Sequence, residues 1–337
     1  MASKTRVVTF GVGVIGQEVV KQVIKRNNWI ELVGALDSDP RKVGRDLGDV
    51  VGLGKRLGIT ITNDPEALFS NSKVDVAIHT TSSHLVKVYP QLESILGYGV
   101  DVVSSCEELS YPYVIDEKLA NKLDLYAKEH GAAILGTGIN PGFLMDALPI
   151  FLTGPCLEVN RIKVTRKMNA GSRRIPFQQK IGAGMSAQEF RDAIEKQRIT
   201  GHVGLQESIA MISAALGWKL DRIELGEVKP VLLKNSVKSN WIRIEPGTVA
   251  GLRQIAIGVV NGQPRIELEF VAFIGSEEEY DMVEIDGVPP INMKISPCVH
   301  GDSGTIAMLI NMIPRIANAA PGLHTMKDLP LPVATSL

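Results

Sequence analysis

The chain has 337 residues, and at roughly 150 residues per domain that is enough for two domains. Hydrophobic residues make up 45 % and charged residues 22 %, values that exclude a disordered chain or a disulfide-stapled miniprotein. With 36 Lys+Arg against 37 Asp+Glu the net charge is -1, which gives no support to nucleic-acid or membrane binding as the main task.

In chain order, the first 140 or so residues alternate between strand and helix patterns. Arg6–Phe10 is a β-branched strand, and Val14–Arg26 carries apolar residues at helical spacing. Ile30–Leu36 and Val74–Ile78 are strands, His84–Leu96 a helix and Val100–Ser104 a strand. Asp116–Glu129 is an amphipathic helix, and Ala132–Leu135 a strand ending at Gly136. Buried strands separated by helices predict a parallel sheet covered on both faces, a Rossmann-type α/β domain over residues 1–150.

The pattern changes after about Pro155. Strand-like segments follow at Ile162–Arg166, Arg222–Val228, Trp241–Ile244, Val249–Val260, Arg265–Phe273 and Asp281–Ile285. Two helices interrupt them. One is Ser186–Lys196, with a capping box of Ser186 and Glu189, and the other is Val203–Leu216. This is an α+β open-sheet domain, expected over 151–300. With too few helices to cover both faces, the sheet is expected to bury one face against a twin in a homodimer. Asp302 or Ser303 is expected to cap a last helix running to about Asn318, with Pro314 kinking or ending it. The tail from Pro321 to Pro332 is expected to be extended.

The strongest motif is Gly11-Val12-Gly13-Val14-Ile15-Gly16, directly after a strand and opening a helix. The first glycine permits the tight turn, the second lets backbone approach a pyrophosphate, and the third lets helix and strand pack. Helix N–H groups, those of Val14 and Ile15 included, then face the phosphates. Asp37 lies 21 residues after Gly16, at the end of the second strand, where a carboxylate receives ribose hydroxyls. Arg41 and Lys42 favour a 2′-phosphate if the loop folds back, or are solvated loop charges. Asp37 disfavours a 2′-phosphate by like-charge repulsion, so the expected cofactor is NAD or NADP, with the balance towards NAD and NADP tolerated. Thr80-Thr81-Ser82 forms a second polar edge for the cofactor, or simply caps the next helix.

Two later segments end on the same sheet edge. Glu107-Glu108, just past a buried strand, can exchange protons with a polar substrate group or begin a helix. Gly136–Phe143, which includes Asn140 and Pro141, is a rigid turn that cradles the nicotinamide end or marks a domain boundary. His202 and His300 contact substrate or are structural. Arg166-Lys167 and Arg173-Arg174 fork a substrate carboxylate or are solvated. Phe143, Leu144, Met168 and Phe177 set the pocket volume. Cys106, Cys156 and Cys298 are scattered and odd in number, which implies a reducing, cytoplasmic setting. The chain opens directly into a strand pattern, with no apolar leader and no membrane span expected. No cluster has metal-ligand spacing, and neither a G-x-S-x-G elbow nor a P-loop is present.

Taken together, GVGVIG (Gly11–Gly16), HTTSSH (His79–His84), SSCEELSYP (Ser104–Pro112), GTGINPGFLMD (Gly136–Asp146), GHVGLQES (Gly201–Ser208) and the closing GDSGTIAMLINMIPRI and PGLHTMKDLP resemble the dihydrodipicolinate-reductase-like dehydrogenases. They look most like the 2,4-diaminopentanoate and native amine dehydrogenase family, over nearly the whole chain. The resemblance implies NAD(P)-dependent oxidative deamination of an amine to a ketone plus ammonia, handled by a glutamate of the C-E-E segment. By position that glutamate is Glu108, with Glu107 its neighbour. It also implies a Rossmann domain, a second domain that mediates dimers, and a last helix, within 301–337, returning to the first domain. The basic, histidine-rich loop of dihydrodipicolinate reductase proper is not found. The runner-up is a hydroxy or semialdehyde oxidoreductase resembling homoserine dehydrogenase, and a third reading is a nucleotide-binding regulator without catalysis.

Overall fold

The computed structural model describes residues 3–334. Among these residues sixteen strands follow in chain order. They are β1 Thr5–Phe10, β2 Ile30–Leu36, β3 Ile61–Thr62, β4 Val76–His79, β5 Asp101–Ser104, β6 Ala133–Gly136, β7 Glu158–Asn169 and β8 Leu220–Leu225. After them come β9 Lys229–Leu232, β10 Val237–Lys238, β11 Arg243–Ile244, β12 Val249–Val260, β13 Gln263–Phe273, β14 Tyr280–Val288, β15 Ile291–Ile295 and β16 Gly322–His324. The chain divides into two units, Met1–Phe143 with Gly301–Leu337, and Leu144–His300.

The first unit holds a seven-stranded sheet in the order β16-β6-β5-β4-β1-β2-β3, with every pairing parallel. The order reverses between β1 and β4, and the carboxyl ends of strands beside such a switch point form a crevice where ligands bind. β4 is buried along its whole length, as a strand covered on both faces must be. The helix Val14–Ile24 turns Val19, Val20 and Val23 inward, and Leu85–Leu96 turns Val88, Leu92 and Ile95 inward. Asp116 caps Glu117–Glu129 by accepting the Leu119 N–H.

The second unit holds a mixed sheet, β15-β14-β7-β13-β12-β8, with β9 also paired to β12. Here β7 and β13 are parallel and the other pairings antiparallel. Ile266, Leu268 and Phe270 are buried on one face of β13, and the intervening Arg265, Glu267 and Glu269 take the other. Helix Leu205–Ala215 packs against β8, β12 and β13. The capping box of Ser186 and Glu189 is present at the start of Ala187–Glu195.

The Rossmann-plus-open-sheet architecture expected from the patterning is the one observed. Some details differ. Asp302 and Ser303 lie inside the first turn of helix Gly301–Ile316, because the helix already begins at Gly301. Pro314, expected to kink or end that helix, sits within its last turn, and the helix runs on to Ile316. The tail is not merely extended, since Gly322–His324 pairs in parallel with Ala133–Leu135 and forms the edge of the first sheet. Among the described residues no helix is long and apolar enough to cross a membrane.

Candidate active site

At the carboxyl edge of the first sheet, the three glycines of the turn differ in what they are for. Gly11 has φ +98° and a Cβ there would lie 2.7 Å from the Thr80 carbonyl oxygen. A Cβ on Gly16 would lie 1.9 Å from the Gly11 carbonyl oxygen, so that position is closed by the fold itself. A Cβ on Gly13 would meet nothing within 4 Å, and its φ of -78° is open to any residue. The fold does not demand glycine at Gly13. The open space in front of it is what a closely approaching ligand requires. Val14 and Ile15 begin the helix behind it, and first-turn N–H groups have no acceptor within their own helix.

Around this turn lies a cavity of about 370 Å³, lined by Phe10, Gly11, Gly13, Asp37, Ser38, Lys42, Thr80, Thr81, Ser82, Lys87 and Gln91. A second cavity of about 250 Å³ shares Phe10, Asp37, Ser38 and Gln91 and adds the apolar surfaces of Leu36, Pro65 and Pro90. Lys87 and Gln91 stand one turn apart on the helix Leu85–Leu96 and so share a face. That spacing was visible in the sequence, but nothing there said which face looked at the glycine turn.

Asp37 follows β2 and is held from three sides. Its Oδ2 accepts the Val12 N–H at 2.7 Å and Lys42 Nζ at 3.0 Å, and its Oδ1 accepts the Asp39 N–H at 2.8 Å. Burial would raise its pKa, but these donors together hold it below the ordinary carboxylate value. The loop does fold back: Lys42 joins Asp37, while the Arg41 guanidinium pairs with Asp39 at 2.8 Å.

From the cavity wall a polar chain runs inward to the buried His79 and Ser104. The Thr80 hydroxyl donates to the Gly11 carbonyl at 2.9 Å. His79 Nε2 lies 2.8 Å from Gln91 Oε1 and 2.9 Å from Thr81 Oγ1, and its Nδ1 lies 2.8 Å from Ser104 Oγ. Gln91 Oε1 can only accept, so Nε2 carries the proton and the Ser104 hydroxyl donates to Nδ1. Burial pushes His79 down to about 4, which keeps it neutral. Ser104 Oγ also accepts the Cys106 N–H at 3.1 Å and so anchors the turn that follows β5.

That turn is a short 3-10 helix, Glu107–Ser110. Glu108 reaches to the start of helix Leu85–Leu96, where Oε2 accepts the Leu85 N–H at 2.6 Å and Oε1 the His84 Nδ1–H at 2.7 Å. Glu107 projects from the same turn, and its carboxylate makes no hydrogen bond or ion pair with another described residue. Burial pushes the Cys106 thiol up to about 12, which keeps it protonated at neutral pH. In the loop after β6, Asn140-Pro141 is a cis peptide and the Ile139 N–H meets Thr305 Oγ1 at 3.2 Å. Thr137 Oγ1 is buried there without a partner among the described residues.

The remaining candidates are distributed differently. Phe143 and His300 sit where the chain passes from one unit to the other; Phe143 is half-buried and His300 exposed. In the second unit Met168 is buried, with Arg173 Nη1 at 4.0 Å from its sulfur and the Arg173 guanidinium 4.4 Å above the Phe177 ring. His202 stacks on Phe270 with centroids 4.4 Å apart, and burial with the charges of Lys180 and Arg166 pushes it down to about 3. Arg166 is not available to fork a substrate carboxylate. Its side chain is 2 % exposed, pairs with Asp281 at 2.5 Å and donates to the Val299 carbonyl at 2.6 Å. Lys167 lies over Tyr280 at 5.9 Å. Among the described residues no group of His, Cys, Asp and Glu side chains could hold a metal ion.

Residues 143–336 match the family described as 2,4-diaminopentanoate dehydrogenase C-terminal domain, and residues 5–106 match the dihydrodipicolinate reductase N-terminus. The chain belongs to the 2,4-diaminopentanoate dehydrogenase family. It is 37 % identical to a 2,4-diaminopentanoate dehydrogenase of Acetoanaerobium sticklandii, over 98 % of this chain and 95 % of that one. It is also 23 % identical to an amine dehydrogenase of Streptomyces virginiae, over 96 % of each. The solved amine dehydrogenase of Mycobacterium smegmatis superposes with a TM-score of 0.84 at 25 % identity, covering 98 % of this chain and 97 % of that one. As a member of this family the chain is an oxidoreductase of the amine dehydrogenase class, as its sequence resemblance implied.

Proposed function

We propose that the chain interconverts a small amine (2,4-diaminopentanoate or a short alkyl amine) with its ketone and ammonia, using NAD or NADP, with Glu108 as the central carboxylate. The observation that carries this reading is the 37 % identity with a 2,4-diaminopentanoate dehydrogenase over both units. The open space at Gly13 supports a dinucleotide there. Gly11, Gly13, Gly16 and the N–H groups of Val14 and Ile15 would hold the pyrophosphate, and Asp37 a ribose hydroxyl. Thr80, Thr81 and Ser82 would line the path between them. The cavity faced by Phe10, Leu36, Pro65 and Pro90 suits the flat apolar adenine. Asn140, Pro141 and the unpartnered Thr137 hydroxyl would meet the nicotinamide end. When bound, nicotinamide exchanges hydride with the amine-bearing carbon.

The protein's own part is proton and charge management. An ammonium has no lone pair to drive hydride departure, so it must first lose a proton. Glu108 accepts that proton and hands it on to water, and the carboxylate so restored faces the cationic iminium, which its charge stabilises. Because the Leu85 N–H and His84 already hold the carboxylate, it needs little reorganisation as charge develops. Glu107, unengaged beside it, adds to the same negative field. A developing alkoxide would be repelled by this pair, which disfavours the homoserine-dehydrogenase-like alternative. Phe143, Met168, Phe177, His202 and His300 remain our substrate-side assignments.

We assign the chain to the cytoplasm as a homodimer formed through the second sheet. The face of that sheet opposite Ile266, Leu268 and Phe270 presents the half-buried Ile255 and Ile257 beside the Lys163–Glu267 and Arg253–Glu269 ion pairs, a mixture suited to a twin. The test of function follows NAD(P)H consumption with a short 2-ketone or 2-amino-4-oxopentanoate, with and without ammonium at mildly alkaline pH. Turnover is expected only with ammonium. Glu108→Gln lowers it on the order of 10²-fold or more, and Glu107→Gln lowers it less. Equal rates without ammonium would mean alcohol formation.

A further inference from the structure

The geometry points to Lys42 as the residue that lets one cavity take either NAD or NADP, by leaving Asp37 to meet a 2′-phosphate. This rests on the cofactor reading above and adds to it the residue that sets the choice. A carboxylate after β2 normally excludes NADP, because a phosphate dianion at the ribose 2′ position would face a bare negative charge. Asp37 is not bare. Lys42 Nζ lies 3.0 Å from its Oδ2, and both side chains are largely buried, 21 % and 10 % exposed. Lys42 and Asp37 both line the cavity.

Lone-pair counting separates the two cofactors. Oδ2 already accepts from Val12 and Lys42, and Oδ1 accepts from Asp39. One acceptor direction is left for a ribose hydroxyl with Lys42 in place. Should Lys42 turn towards an incoming phosphate, the backbone N–H groups of Val12 and Asp39 still hold Asp37. The carboxylate therefore keeps two fixed partners, and the ammonium gains a stronger one. A lysine does this well, since its charge is compact and its stem flexible. The other charges at hand are differently placed. Arg41 is 87 % exposed, is occupied by Asp39 and does not line the cavity. Asp39 lies 3.8 Å from Lys42, and with Arg41 on Asp39 the two acids and two bases of the resting cluster balance. Lys87 lines the cavity from helix Leu85–Leu96 and is the rival candidate.

The experiment titrates the full-length wild type, Lys42→Met and Lys87→Met with NAD⁺ and NADP⁺ by calorimetry, without substrate. Wild type is expected to bind both. Lys42→Met is expected to raise the ratio of the NADP⁺ to the NAD⁺ dissociation constant by on the order of tenfold or more, the scale of one charge-assisted hydrogen bond. In wild type, salt should weaken NADP⁺ more than NAD⁺, and Lys42→Met should narrow that difference. An unchanged ratio in Lys42→Met overturns the inference while leaving cofactor binding intact. A selective NADP⁺ loss confined to Lys87→Met does the same and gives the role to Lys87. Binding of neither cofactor by wild type overturns the inference and the cofactor reading together.

Discussion

The two units carry their candidate residues in different ways. In the first, the site is written largely in backbone: a glycine with open space before it, helix N–H groups, and the carboxyl ends of parallel strands. In the second, the candidates are side chains already committed to one another, with Arg166 on Asp281, His202 on Phe270 and Arg173 over Phe177. A backbone site is local in sequence, because a tight turn needs its glycines at fixed spacing. A side-chain site assembled from β7, β13 and β14 depends on partners more than 100 residues away, such as Asp281 for Arg166.

The sharpest way to break this contrast is within the glycine turn. Gly13→Val is expected to remain folded and to lose dinucleotide binding, because its Cβ meets only open space that the cofactor would fill. Gly16→Val is expected not to fold stably, because its Cβ would collide with the Gly11 carbonyl. Circular dichroism and calorimetric titration of the pair separate the two roles. A folded Gly13→Val protein with unchanged affinity would remove the site from this turn.

The second unit is probed at its buried ion pair. Arg166→Met leaves Asp281 without its charged partner and is expected to cost about 3–5 kcal/mol, whereas Arg166→Met combined with Asp281→Leu should recover most of it. Burial outweighs the guanidinium and pushes the Asp281 carboxyl up, so this pair holds structure without being a strong source of stability. Denaturant unfolding measures both variants. A fully stable Arg166→Met with weakened substrate binding would return the arginine to the substrate.

A smaller effect sharpens the picture of the first unit at the strand ends opposite the site. Burial pushes Asp101 up to about 6 from 3.8, with the Asp75 charge adding to the rise and the Ala133 N–H opposing it. The raised folded value means that stability is fullest below the unfolded pKa and is lost as pH rises through about 6. Asp101→Asn keeps an acceptor for the Ala133 N–H at 2.8 Å. It is therefore expected to stabilise the protein at pH 8 by about 1–2 kcal/mol after solvent screening, with the gain vanishing near pH 4. An equal effect at both pH values would contradict the titration.

What was legible in the sequence follows the same division. Val249–Val260 keeps its bounds because β-branched and apolar residues, interrupted only by Arg253 and Gln254, make a long, mostly buried strand. The Gly11–Gly16 turn, Asp37 and Thr80–Ser82 line one cavity, apart from the residues that build the turn from behind. Short edge strands escaped notice. Ile61–Thr62 and Gly322–His324 are too brief for periodicity, and their partners decide them. The tail carries Pro321, which hid an edge strand beginning one residue later. Lys42 was visible only as one of two adjacent loop cations, and its contact with Asp37 is a matter of tertiary geometry. Glu108 appeared as one of a pair of acids. That it reaches His84 and the Leu85 N–H, while Glu107 does not, follows from how β5 lies beside the helix Leu85–Leu96.

The claim that amine chemistry, and not alcohol chemistry, runs at the Glu107–Glu108 edge is tested most directly by the fate of nitrogen. A short 2-ketone is reduced by the wild-type protein with NAD(P)H in the presence of ¹⁵N-ammonium, and the product is identified by mass spectrometry. The predicted product is an amine carrying the heavy nitrogen, formed more slowly by on the order of 10²-fold or more when Glu108→Gln replaces wild type. An alcohol formed at the same rate with or without ammonium would contradict the account.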